Sequence, residues 1–127
     1  MMRRYRGPRP LRGRAFSALA AVLLGGCASA KYIQTGPSAA ARADDCNIEV
    51  FASKAPDREY EELGILEGEG SWGADSLEDV LPKMKVEACR AGGDAIIMGS
   101  ARKFVDSVDD TTLDVTATVI RWTGQPR

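Results

Sequence analysis

Residues 15–24, AFSALAAVLL, form the one long unbroken apolar run of the chain, and beyond it the apolar positions become periodic. From Cys46 to Phe51 apolar and polar residues alternate, with Cys46, Ile48 and Val50 on one face, which predicts a strand. Ser53-Lys54-Ala55-Pro56-Asp57 follows as a turn, because Pro and Asp favour bends. Tyr60 to Glu69 predicts a second strand, interrupted by Gly64, a residue that inside a strand marks a bulge or a close backbone approach. Gly68 to Asp75 reads as a loop carrying Trp72. A helix follows: Ser76 and Asp79 have capping-box spacing, and Leu77, Leu81, Met84, Ala88 and Ala91 share one stripe. Pro82 is expected to kink that helix or delay its start, and Gly92-Gly93 to stop it. Asp94 to Gly99 is apolar almost throughout, the pattern of a strand buried on both faces. Phe104 to Thr112 reads as a hairpin connection with an acidic tip (Asp106, Asp109, Asp110). Leu113 to Trp122 closes the chain as an alternating strand, with Leu113, Val115, Ala117 and Val119 facing one way.

The predicted fold class is α+β: a single small sheet of about four strands in the order β-β-α-β-β, with one helix packed on one face. The helix joins the second and third strands, which suggests one right-handed βαβ crossover. The expected organisation is a signal segment over 1–26, a flexible linker over 27–44 rich in Ala, Ser and Gly, a domain over 45–123 and a loose tail over 124–127.

Charge changes the picture at the amino terminus. The chain of 127 residues has a net charge of −1, but six of its 17 basic residues, all arginines, precede Cys27 and none of its 18 acids does. The remainder is acidic, which disfavours nucleic acid as a partner. With no histidine, Ser-His-Asp and Cys-His catalysis and His-containing zinc sites are excluded. Cys27, Cys46 and Cys89 form no CxxC pair. These features predict no enzyme, no catalytic residue, no metal site and no cofactor.

The basic segment 1–14 followed by about ten apolar residues has the proportions of an export signal and is too short to span a bilayer, which takes roughly 20. Leu24-Gly25-Gly26-Cys27 then resembles the lipobox of bacterial lipoproteins. That resemblance implies cleavage between Gly26 and Cys27, a diacylglyceryl group on the Cys27 thiol and usually an acyl chain such as palmitate on the new amine. Gly25 departs from the commoner Ala, Ser or Thr. The alternatives are an ordinary secretory signal cut near Ala28 or Ala30, and an uncleaved anchor. Two or three acyl chains hold a protein to a bilayer for long times. The family's sorting rule, in which Asp after the cysteine retains the protein in the inner membrane, implies outer-membrane placement for Cys27-Ala28-Ser29, facing the periplasm.

A second resemblance rests on Tyr60-x-x-Leu63-Gly64, Lys85-x-x-Ala88 and Gly92-Gly93-Asp94-Ala95-Ile96-Ile97. Over about 46–122 the chain is similar to a superfamily of small bacterial domains. The superfamily includes the putative heavy-metal-binding domain family and the outer-membrane lipoprotein that senses stress for the Rcs phosphorelay. These positions encode fold more than chemistry, and no metal site is carried over.

Cys46 and Cys89 have three readings: an intramolecular disulfide, two buried thiols, or linkage to a partner. An exported domain sits where disulfides persist, and closing a loop of about 43 residues contributes roughly 4 kcal/mol. Against it, if the first two strands form a simple hairpin, Cys46 lies at the end of the sheet where the helix starts, about 20 Å from Cys89, whereas a bond needs Cα atoms within about 7 Å. Glu59, Glu61, Glu62, Glu67 and Glu69 are carboxylates of the kind hard cations take, but alternation scatters them and a solvated face is expected. The same applies to calcium at the tip Asp106, Asp109 and Asp110. Trp72 is read as a lid over the sheet edge, or else as an interface contact; Tyr60 and Trp122 are read as packing. Gly68, Gly70 and Gly73 do not fit a phosphate loop. The functional expectation is a lipid-anchored, non-catalytic interaction, structural or stress-sensing domain with an envelope protein as partner. The alternative is a periplasmic module binding a small ligand or metal.

Overall fold

A computed structural model describes residues 27–107 and 110–124, with the side chains of 106–110 outside the description. The signal segment 1–26, the side chains of the Asp106/Asp109/Asp110 tip and residues 125–127 of the expected tail therefore lie outside what is described. In chain order the elements are β1 (Cys27–Gln34), β2 (Glu49–Phe51), β3 (Tyr60–Ser71), α1 (Leu77–Arg90), β4 (Ala95–Ser107) and β5 (Asp110–Trp122). The architecture is α+β, one helix against a five-stranded sheet of order β1-β3-β5-β4-β2. Strand β5 lies antiparallel to both β3 and β4, and β2 lies parallel to β4.

Strands run further than expected: β3 reaches Ser71, inside the expected loop 68–75, and β4 and β5 extend to Ser107 and from Asp110, inside the expected hairpin connection 104–112. Two expectations about the layout of the sheet also change. The sheet has five strands rather than four, because Cys27–Gln34, read as flexible linker, pairs along its whole length with β3. The rest of that stretch is pinned too. The Arg42 N–H donates to the Cys89 carbonyl at 2.8 Å, and Arg90 binds the Asp44 carboxylate through two hydrogen bonds of 3.0 and 2.9 Å. Second, β2 and β3 do not form a hairpin. Strand β2 joins the far edge of the sheet, with Glu49 opposite Ala95, and the chain crosses back to β3.

Helix α1 begins where expected. Ser76 donates to the Asp79 carboxylate from its hydroxyl at 2.6 Å and from its N–H at 3.4 Å. It ends in a glycine-terminated cap: Gly92 has φ +82°, its N–H reaches the Cys89 carbonyl at 3.0 Å, and the Gly93 N–H reaches Ala88 at 2.9 Å. Two last-turn carbonyls are thereby satisfied, and glycine adopts that backbone without a Cβ penalty. The buried face differs from the predicted stripe. Val80, Met84, Ala88 and Cys89 are buried, while Leu77 is 43 % exposed.

The reason for the rotation lies in β3. A Cβ on Gly68 would meet Val80 Cγ1 at 2.5 Å and Met84 Sδ at 2.8 Å; one on Gly70 would meet Val80 Cγ2 at 2.7 Å and collide with the Ala74 carbonyl oxygen. Beside them, β1 turns only Ala28, Ala30 and Tyr32 toward the core. The ridge Val80–Met84–Ala88 thus settles into a trough of small residues. From β5, Leu113, Val115, Ala117 and Val119 complete this core, as their alternation predicts. Burying each large aliphatic side chain contributes about 1.5–3 kcal/mol.

Gly64 marks a register shift between β3 and β5, and Tyr32 lies across it. A second shift occurs in β4 between Met98 and Ala101, where the Ser100 N–H bonds Thr116 Oγ1 at 3.0 Å. Because β2 covers only Ala95–Ile97, the rest of β4 is an open sheet edge among the described residues.

Candidate functional site

The sheet has two ends, and the sequence-predicted residues separate between them. Helix α1 follows directly on the end of β3, so it starts near Ser71 and runs back to the start of β4. At the far end Cys46 and Cys89 are joined by a disulfide with Cα atoms 5.9 Å apart. The separation of about 20 Å that a hairpin would impose disappears because β2 is parallel to β4. Cys46 therefore precedes the start of β2 at the same end at which the helix finishes.

Polar groups cluster around the disulfide. Asp94, just before β4, accepts from Arg42 at 3.2 Å through one oxygen and from the Trp122 N–H at 2.9 Å through the other. Arg42 also donates to the Gly93 carbonyl at 2.8 Å. Arg90 holds the Asp44 carboxyl below its ordinary range by hydrogen bonding, and Asp44 in turn raises the Arg90 guanidinium. Burial raises the Tyr32 phenol. Trp122 packs edge-on to Phe51 at 6.0 Å and beneath the Arg58 guanidinium at 4.7 Å, a packing role. No sequence pattern pairs Arg42 with Asp94; only the Gly92-Gly93-Asp94 run hints that Asp94 sits where the chain turns tightly.

The other end carries Cys27. Its thiol is exposed and outside any disulfide, and its backbone lies opposite Ser71 as the first residue of β1. Immediately after Ser71 comes Trp72, 69 % exposed and with φ +54°, followed by Gly73 at +83°. A bulky residue in the left-handed region costs about 1–2 kcal/mol. Trp72 is therefore no lid over the sheet edge; it stands out from the turn.

No family model matches this chain, and neither a curated protein nor a solved structure matches it.

Alternation does not scatter the acids as expected: it sets Glu67 and Glu69 on one face, and a register shift between Glu62 and Gly64 separates Glu61 from them. Glu61 pairs with Arg121, while Glu67 and Glu69 stand on the sheet face away from the helix. There they line an open groove of about 510 Å³ with Ser29, Lys31, Asp114 and Thr116. Strand register sets Lys31 beside Glu67, and Glu69 between Ser29 and Asp114. Among the described residues no polar or charged side chain is buried, and no group of three or more Cys, Asp and Glu side chains is placed to hold a metal ion. Gly68 and Gly70 lie inside β3 and serve the helix contact. Among the described residues no helix is long and apolar enough to cross a membrane.

Proposed function

We propose that the chain is a lipid-anchored lipoprotein of the bacterial cell envelope, processed between Gly26 and Cys27. Its folded part acts as a non-catalytic interaction, structural or stress-sensing domain, held at the outer membrane and facing the periplasm. The observation that carries this reading is the division of labour among three cysteines. Cys46 and Cys89 are consumed by a disulfide, a bond that persists in oxidising compartments, while Cys27, the residue after Leu24-Gly25-Gly26, is exposed and chemically available. The arginine-rich and apolar segments that precede it support the same reading.

Cys27→Ser tests it. In the producing cell, palmitate label incorporated by the parent chain is lost in the variant, which accumulates as the uncut precursor on a gel. Equal label in both chains refutes the proposal.

A further inference from the structure

Among the described residues six large hydrophobic side chains are exposed: Ile33, Ile65, Trp72, Leu77, Phe104 and Val105. Ile33 and Ile65 oppose each other across β1 and β3, well along the strands. The other four gather at the end that carries Cys27. Gly70 of β3 aligns with Leu113 of β5, which aligns with Lys103 of β4; Phe104 and Val105 lie one and two residues further in the same direction. Ser71, opposite Cys27, leads directly into Trp72, and Leu77 begins the helix just beyond. From β1 to β4 is three strand steps, so these residues span about 15 Å.

We propose that this end of the domain docks directly on a zwitterionic phospholipid surface. Trp72, Leu77, Phe104 and Val105 enter the headgroup–acyl boundary around lipidated Cys27. The inference rests on the reading of Cys27 as the lipid attachment site. Two observations argue for this occupant. Cys27 is the first residue of β1, so acyl chains on it emerge beside the apolar group. No spacer intervenes: the sheet starts at Cys27 itself, which brings this end against the bilayer. The one strongly exposed indole stands there in a left-handed turn that the fold maintains at a cost, and indoles partition to the interface between headgroup and hydrocarbon. Asp75, Glu78 and Asp79 border the same end and offset Arg102 and Lys103 of β4, so it presents no net positive charge to draw anionic lipid.

The lipidated mature protein is reconstituted in phosphatidylcholine–phosphatidylethanolamine vesicles containing a lipid with a nitroxide near the headgroup. The nitroxide quenches part of the tryptophan emission of the parent chain. Trp72→Phe, a surface change that leaves the core intact, abolishes the quenchable part, because Trp122 lies at the other end of the sheet. Absence of quenching in lipidated parent chain overturns docking and leaves the anchor reading standing, as does quenching that survives Trp72→Phe. Absence of palmitate label at Cys27 on the same samples overturns both.

Discussion

The two ends of the sheet are built by opposite means. At the Cys46–Cys89 end the chain is tied: a covalent bond, a glycine-terminated helix cap and the Arg42–Asp94 and Asp44–Arg90 pairs hold three segments together. At the Cys27 end the turn after β3 holds an indole in an unfavourable backbone region and leaves apolar side chains in the open. Stability is concentrated at one end and exposed apolar surface at the other. Surface that costs stability in isolation is the kind that needs a partner.

The largest test of this contrast is removal of the disulfide. Replacing Cys46 and Cys89 together by Ala is expected to cost about 2–5 kcal/mol, read as a lower denaturant midpoint. Reductant should reproduce the loss in the parent chain and do nothing to the variant. If reductant leaves the parent midpoint unchanged, the tied end is held by something other than this bond.

Gly70→Ala is next and probes the path between the ends. The added Cβ collides with the Ala74 carbonyl and with Val80, so an overpacking cost of about 1–3 kcal/mol is expected, seen as a lower midpoint at unchanged slope. A neutral outcome would mean that the helix does not sit this close to β3.

The smallest effect belongs to Asp44→Asn. The Asp44 carboxyl is depressed in the folded protein by the Arg90 hydrogen bonds. Its contribution is complete above the unfolded value of about 3.9 and is lost as pH falls through the lower folded value. The pair is exposed, so parent and variant should differ slightly in melting temperature at neutral pH, and the difference should close in acid. A gap that persists at the lowest pH assigns the effect to packing.

What the sequence displayed was decided by side-chain size. The helix limits, Ser76 and Gly92-Gly93, and the inward face of β5 were legible because capping chemistry and large alternating aliphatics leave clear marks. Strand β1 was not, because its inward positions include Ala28 and Ala30. Residues small enough to admit a helix look like the composition of a linker. Gly68 and Gly70 hide the end of β3 in the same way, and the buried helix face departs from the sequence stripe by the rotation those glycines impose. The disulfide stayed undecided because it depends on β2 crossing to the far edge, and the bend-forming residues Ser53 to Asp57 are as compatible with that crossing as with a hairpin. At the Cys27 end, Trp72 was visible as an unusual residue, but its proximity to Cys27 needed the pairing of β1 with β3.

The open edge of β4 bears on self-association. Beyond Ile97 no described strand pairs with the outer side of β4, which leaves backbone groups for a neighbouring molecule to meet. Arg102 and Lys103 lie on that stretch, just past an irregular step in the ladder. Two copies approaching edge to edge about a two-fold axis there would bring guanidinium and ammonium groups together, so crowding alone does not zip them into a continuous ribbon.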